Sequence, residues 1–494
     1  MISITSHKEN KSVSVYKKWM KKICIFLFWI LVWEGLALAV ANAIVLASPR
    51  QVLLYLLENG TKKDLWFSIG ASFARILAGF FLAYFGGIVI GIVNYRVQFL
   101  RELTEPVLAS IKAIPVAAVT VLLLLWFSSQ SLSIVLCFII VLPNVYEQMM
   151  AGLRNVDKEQ LAMANLYGIT WWEKLVTIYR MSVVPYLYSS MKICVGLSFK
   201  SAVAAEIIAT PVGTMGERLY FAKIHLDTPG IFAWTLIIVA LSVFSEKILL
   251  YGFEFWFVKP MYVGLPKVGM NEKVNKKHSG DSLNESMNHV NVVEEITLDN
   301  LTKSYGKNRV IKQMTSSMKA GECHVIMGVS GSGKTTLLNM INGMIQPDEG
   351  RISIKCAQES KPGEQKITYG MVFQNEVVLD DYDVIKNIEI FAGHSLTREE
   401  LDDLEILLPK NCLTQKSSAL SGGMKRRLQI ARALFSPVSM LIMDEPFRGL
   451  DEENRKKCIG MIKKYQRNRI LVITSHDARD VEDLGGYKWE LELH

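Results

Sequence analysis

Six apolar stretches, at 23–46, 69–93, 107–127, 132–150, 183–208 and 231–251, constrain this chain more than any other feature. About 20 apolar residues suffice to cross a bilayer as a helix. In hydrocarbon the backbone has to satisfy its own hydrogen bonds, so runs of this length are expected to be helices rather than open strands. The first half therefore reads as an all-α polytopic membrane domain of about six spans. The stretch at 107–127 is interrupted by Lys112, and that at 183–208 by Lys192, Lys200 and Glu206. Charges at such depth face protein or water. Glu34, Lys112, Lys200 and Glu206 are thus candidates to line a path, unless they sit near helix ends or pair with one another.

Loop charge orients the spans, since cytoplasmic loops carry the excess of Lys and Arg. With the amino terminus inside, the inner segments hold twelve basic residues: Lys8, Lys11, Lys17, Lys18, Lys21, Lys22, Arg96, Arg101, Arg154, Lys158, Lys174 and Arg180. The outer loops hold five: Arg50, Lys62, Lys63, Arg218 and Lys223. Residues 1–22 then read as a basic cytoplasmic tail, and both termini are expected in the cytoplasm. Ala41-Asn42-Ala43 after an apolar run imitates a secretory leader, but 23–46 is long for a leader core and more spans follow. It is read as an uncleaved first span. The seven cysteines are scattered without a CxxC pair, so neither a zinc site nor a disulfide framework is indicated.

After residue 262 the character changes. Residues 263–292 are polar and rich in Asn and Ser, and read as a flexible tether. Residues 293–494 read as a soluble α/β domain. There an apolar strand ending at Met327 runs into Gly328-Val329-Ser330-Gly331-Ser332-Gly333-Lys334-Thr335, with Thr336 opening a helix. This is a phosphate loop. Its glycines turn backbone amides toward phosphate oxygens, and the helix adds its positive end. Lys334 can reach the β- and γ-phosphates of a nucleoside triphosphate, and Thr335 offers a hydroxyl to Mg²⁺.

A second apolar strand ends in Asp444-Glu445-Pro446. Asp444 is placed to hold Mg²⁺ and Glu445 to polarise the attacking water. Between these motifs Ser421-Gly422-Gly423-Met424 opens a basic helix and forms another anion cradle.

At these residues the second half resembles the ATP-binding cassette (ABC) family. The resemblance implies that the Ser421-Gly422-Gly423 element closes over the γ-phosphate held by a second cassette. It implies that Gln374 senses Mg²⁺ and the permease, that His476 contacts the γ-phosphate, that Tyr305 stacks on adenine, and that Asp451 belongs to a loop between subunits. Met424 departs from the family's usual Gln.

The membrane half resembles binding-protein-dependent permeases of the nitrate, sulfonate and taurine type. Residues 157–180, between two spans, read as a short amphipathic helix closed by Gly168. Leu161, Ala164, Leu166, Trp171, Trp172 and Leu175 supply its apolar side. In the family this loop docks on the ATPase. Ala162-Met163-Ala164 stands at the family's Glu-Ala-Ala triplet, with Gly168 at its glycine, Ala162 replacing the usual acid.

The whole then reads as a multi-domain chain: a permease at 23–262, the tether at 263–292 and an ABC ATPase at 293–494. With one phosphate loop and one Ser-Gly-Gly element, a single chain cannot close a site on itself. The expectation is a homodimeric importer in a prokaryotic inner membrane, using ATP and Mg²⁺, fed a small solute by an extracytoplasmic solute-binding protein. An exporter or a membrane-bound regulatory ATPase is the alternative. A nucleic-acid-handling ATPase conflicts with the apolar spans.

Overall fold

The computed structural model describes residues 5–258, 291–306, 308–357 and 367–491, with side chains of the first helix from Met20 onward. The expected tether lies outside the described residues, except for 291 and 292. The chain divides into two compact units, one formed by Met1–Asn155 with Val183–Val258 and the other by Val156–Ser182 with Lys259–His494.

The first unit is helical: α1 (Thr5–Val40), α2 (Pro49–Asn59), α3 (Lys63–Arg96), α4 (Gln98–Ala113), α5 (Val116–Leu123) and α6 (Ser129–Arg154). After α7 and α8 of the other unit come α9 (Arg180–Ala209), α10 (Met215–Ile224) and α11 (Thr228–Phe253). Helix α1 starts well before residue 23. No Gly or Pro interrupts residues 5–22, so nothing there stops a helix, and the tail expected at 1–22 is helical from Thr5.

Among the described residues, four helical segments are long and apolar enough to cross a membrane: Met20–Val40, Lys63–Arg96, Ser129–Arg154 and Thr228–Val258. The expected third span is broken. Helices α4 and α5 meet at a 106° bend, and counting the pair as one span gives five. Pro115 at the N-cap of α5 explains the break, because a residue before proline is driven out of helical geometry. The expected fifth span lies within α9, whose length suffices but whose Lys192, Lys200 and Glu206 dilute its hydropathy. Length and composition thus mark four or five of the about six expected spans among the described residues.

Helices α3 and α6 pack through small residues of α3. Gly79, Ala83, Gly87 and Gly91 recur at four-residue spacing. A Cβ at Gly87 would come within 2.8 Å of the Val145 side chain, and one at Gly91 within 2.7 Å of Met149. Such spacing lets two apolar helices approach closely. Of the charges expected to line a path, Lys112 pairs with Glu147 at 2.7 Å. Glu206 is fully buried: its carboxylate accepts from Ser72 Oγ at 2.7 Å and from the Gly216 amide at 3.1 Å, fastening α10 to α9 and α3. Lys200 is exposed.

In the second unit a five-stranded parallel sheet has the order β5-β6-β7-β3-β8, from β3 (Cys323–Met327), β5 (Tyr369–Val372), β6 (Met440–Asp444), β7 (Ile470–Ser475) and β8 (Tyr487–Glu490). Strands β3, β5, β6 and β7 are buried along their whole length, the mark of a sheet covered on both faces. An antiparallel sheet of order β2-β1-β4 adds β1 (Val293–Tyr305), β2 (Asn308–Lys319) and β4 (Glu349–Cys356). The helices of this unit are α7 (Lys158–Leu166), α8 (Trp171–Lys174), α12 (Lys334–Ile341), α13 (Val384–Ala392), α14 (Arg398–Leu407), α15 (Gly422–Phe435), α16 (Glu452–Gln466) and α17 (Arg479–Leu484).

Candidate functional site

The carboxyl ends of β3, β6 and β7 set the site, where a doubly covered parallel sheet presents its ligand crevice. From β3 the chain turns through Gly328 (φ +153°), Gly331 (φ +85°) and Gly333 (φ +92°) into α12. Gly333 is the N-cap of α12, and a Cβ there would lie 2.5 Å from Val310. Both the dihedral and the contact require glycine. Lys334 Nζ donates to the carbonyls of Gly328 (2.8 Å) and Val329 (2.9 Å), lying back across its own loop. Burial pulls the Lys334 ammonium below its ordinary range, and the nearby Glu445 and Asp444 oppose this. Ser332 is buried, with no protein partner for its hydroxyl among the described residues. An orphaned hydroxyl inside a ring of backbone amides fits a phosphate oxygen. Thr336 is half-buried in the first turn of α12.

Asp444, at the end of β6, accepts from Thr335 Oγ1 at 2.7 Å and from Thr474 Oγ1 of β7 at 2.5 Å. Its carboxylate is thereby fixed beside the Thr335 hydroxyl. This pair of hard oxygen donors fits Mg²⁺, which takes one or two protein oxygens and otherwise phosphate and water. Glu445 follows with φ +47°, an uncommon conformation for a non-glycine residue. Its amide donates to Thr474 Oγ1 at 2.9 Å, and its carboxylate lies 2.8 Å from His476 Nε2 and 3.3 Å from Arg448 Nη1. Thr474 therefore holds Asp444 by its hydroxyl proton and Glu445 by its lone pair.

Two cavities connect these groups. One of about 390 Å³ is lined by Thr335, Gln374 and Asp444 together with Lys158, Glu159 and Ala162. Another of about 520 Å³ is lined by Ser330, Gln374, Glu445 and His476. Gln374 borders both. Ser421, Gly422, Gly423, Asp451 and Tyr305 line neither.

Ser421 is the N-cap of α15, its hydroxyl accepting from the Met424 amide. Asp451 is the N-cap of α16, accepting from the Asn454 amide and side chain, which hold its carboxyl below the usual range. Tyr305 is half exposed at the end of β1, with Lys303 Nζ 5.9 Å from its ring centre.

Sequence reasoning missed how α15 holds the Gln374 loop. Arg426 donates to the carbonyls of Phe373 and Gln374, Gln429 to that of Asn375 at 3.0 Å, and Arg432 to that of Val377 at 2.9 Å. The three side chains recur every three residues, one face of a helix. The signal in the sequence was that spacing directly after the Ser-Gly-Gly element. Thr474 was missed because a threonine at a strand end is not distinctive.

The segment 157–180 packs on the same loop. Helix α7 is capped by Asp157, and Gly168 (φ +76°) ends it with Gly168 N–H to Asn165 O (3.1 Å) and Ile169 N–H to Ala164 O (2.9 Å). These are the paired bonds of a Schellman ending. Gln160 donates to the Val378 carbonyl (2.9 Å), Asn375 to Glu159 (2.9 Å) and Tyr167 Oη to the Met371 carbonyl (3.3 Å). The Tyr167 ring meets Phe391 edge-on at 4.9 Å, and the buried Arg432 guanidinium lies 5.7 Å from the first ring and 5.1 Å from the second. Met163, Ala164 and Leu166 are buried, but Trp171 and Trp172 are exposed. The apolar side therefore excludes the tryptophans expected on it, because Gly168 turns the chain before α8 begins.

Comparison with known proteins gives two family matches. The family described as "ABC transporter" matches residues 311–448, and "Binding-protein-dependent transport system inner membrane component" matches residues 76–257. The chain is 32% identical over 189 residues to an uncharacterized ABC transporter ATP-binding protein, YybJ, of Bacillus subtilis, covering 87% of that protein and 37% of its own length. It is 32% identical over 204 residues to the Nod factor export ATP-binding protein I of Burkholderia lata, covering 66% of that relative and 39% of its own length. The chain thus spans just under two thirds of that relative. A solved dimeric ATP-binding cassette in a post-hydrolysis state with ADP and Pi matches at 28% identity and a TM-score of 0.35, covering 40% of this chain and 96% of the other. The chain belongs to the ABC transporter family. It joins a membrane-integral permease and a cassette of the ATP-binding, ATP-hydrolysing kind on one polypeptide.

Proposed function

We propose that this chain is a homodimeric importer in which residues 23–262 form the permease and 293–494 the ATPase. The observation that carries the reading is the seating of Glu159, Gln160 and Tyr167 on the loop around Gln374, inside the same compact unit as the phosphate loop. A segment lying between two stretches of permease sequence is thereby bonded to the loop that borders both site cavities.

In this reading the phosphate-loop amides, Ser330, Ser332 and Lys334 bind the phosphates of ATP, and Tyr305 stacks on adenine. Thr335, Asp444 and Gln374 would hold Mg²⁺, which supplies charge neutralisation on the phosphates when bound. Glu445 accepts a proton from the attacking water, and His476 orients Glu445 and the γ-phosphate. Ser421, Gly422, Gly423 and Asp451 act on the site of a second copy, consistent with their lying outside both cavities. Closure of two cassettes pulls α7, and with it the permease. An extracytoplasmic solute-binding protein delivers a small solute of the nitrate, sulfonate or taurine kind. The membrane is a prokaryotic plasma membrane with both termini inside.

The permease family's character as a binding-protein-dependent component supports import. A relative named for Nod factor export favours the opposite direction. The test is flux in vesicles carrying the purified chain, with ATP supplied on the cassette side and the solute-binding protein encoded beside it on the other. ATP-dependent movement toward the cassette side supports import. Movement the other way makes the chain an exporter, and ATP turnover without flux of any solute makes it a regulatory ATPase.

A further inference from the structure

The imidazole of His476 is poorly held by its own contacts. Its side chain is 45% exposed and its Nε2 meets only the Glu445 carboxylate among the described residues. Its aim is therefore set by the backbone on either side. Ser475 Oγ, buried, accepts from the Asp477 amide at 2.9 Å and donates to Asp480 Oδ2. Asp480 in turn donates its amide to the Asp477 carbonyl at 3.1 Å. The turn carrying His476 is thus closed by one hydroxyl and one carboxylate.

That carboxylate is buried and needs a counter-charge. Arg455, one turn into α16, supplies it: Nε donates to Asp480 Oδ1 at 3.0 Å and Nη2 to the same oxygen at 2.6 Å. The same Nη2 takes Asp483 at 2.6 Å, and the guanidinium lies 5.8 Å from the Phe447 ring, two residues beyond Glu445. Arg455 is itself buried and borders the cavity that holds Glu445 and His476.

We infer that Arg455 is a positioning residue for His476, acting through Asp480 and Ser475. The inference rests on the proposed role of His476. The three groups hold the His476 turn against α16, so the imidazole meets Glu445 at a fixed distance. An ion pair that merely joined α16 to α17 would not need the Ser475 hydroxyl between Asp480 and the histidine turn.

The test uses the full chain in lipid nanodiscs and measures ATP turnover. Ser475→Ala removes the hydroxyl alone, and Arg455→Lys keeps one cation but not the fork. Each should lower kcat about tenfold, as expected of a small misplacement of a reacting group, with KM for ATP little changed. The melting temperature of Ser475→Ala should stay that of the parent. On a His476→Ala background, neither change should lower the residual rate further. A Ser475→Ala variant with parental kcat overturns the inference, as does an equal further loss on the His476→Ala background. Parental turnover by His476→Ala alone would remove the role of His476 first, and this inference with it.

Discussion

His476 Nε2 lies 2.8 Å from Glu445 Oε1, and the two residues directly follow different strands, β7 and β6, that pair in parallel. Asp444 and Thr474 face each other in that pairing, with Glu445 one residue and His476 two residues beyond that level. The positive φ of Glu445 then swings its carboxylate toward His476. Strained backbone of this kind persists where surrounding contacts over-determine it, here the Thr474 hydroxyl on the Glu445 amide.

Glu445→Gln keeps the size of the side chain and its capacity to bond His476, but removes the basic oxygen. ATP turnover should fall by roughly 10²–10⁴, the usual contribution of a positioned general base. ATP-bound dimers should accumulate, read by size-exclusion chromatography with labelled nucleotide. Normal phosphate release by this variant would take the base role away from Glu445.

The separation of Ser421 from both site cavities leads to a mixing experiment. Chains with Lys334→Ala and chains with Ser421→Ala should each be inactive alone. Lys334 bridges the phosphate loop, and Ser421 caps α15 where an anion would meet the helix end. Mixed before reconstitution, the two should recover part of the turnover, because one of the two shared sites is then intact. No recovery at any ratio would argue that each chain completes its own site.

Docking of α7 on the Gln374 loop can be separated from chemistry. Glu159 and Asn375 are joined at 2.9 Å, so cysteines at these two positions should be linked by a short bifunctional thiol reagent. Gly168→Val forces a branched residue into φ +76°, at a cost of about 1–2 kcal/mol. It should lower transport per ATP hydrolysed while ATP turnover continues. Absence of the cross-link, or an unchanged transport ratio, would sink the coupling role.

The phosphate loop and the Asp444-Glu445 strand were legible because each is a short local pattern: an apolar strand, then glycines or acids at fixed offsets. Gly168 was legible for the same reason. The grip of Arg426, Gln429 and Arg432 on the Gln374 loop was legible only as a spacing of donors on one helix face, since its acceptors are backbone carbonyls with no side-chain signature. The 106° bend between α4 and α5 was not legible. Pro115 announced a break, but whether a proline kinks a span or turns it back depends on packing the sequence does not carry. In α9, Glu206 looked like an interruption, whereas it is satisfied by Ser72 and the start of α10, residues far from it or beyond its helix.

Acid stability of the cassette should depend on His324. Its ring is 3% exposed on β3, stacked on Tyr487 at 5.3 Å and edge-on to Trp489 at 5.0 Å. Burial pulls its pKa below the ordinary 6.5, and the bond to Glu322 only partly opposes this. The native state therefore prefers the neutral ring, whereas the unfolded chain takes up a proton near 6.5. The unfolded state binds more protons below that pH, so stability is full above 6.5 and is lost as the pH falls toward the native value. His394 works in the other direction: burial lowers its pKa, but Glu400 more than offsets this, so its contribution is present in acid and lost as pH rises. The two are separated by substitution. His324→Phe, which keeps an aromatic ring between Tyr487 and Trp489, should flatten the fall in melting temperature below pH 6.5 and leave the region above it unchanged. A variant that melts with the same acid slope as the parent would show that His324 is not the group taking up the proton.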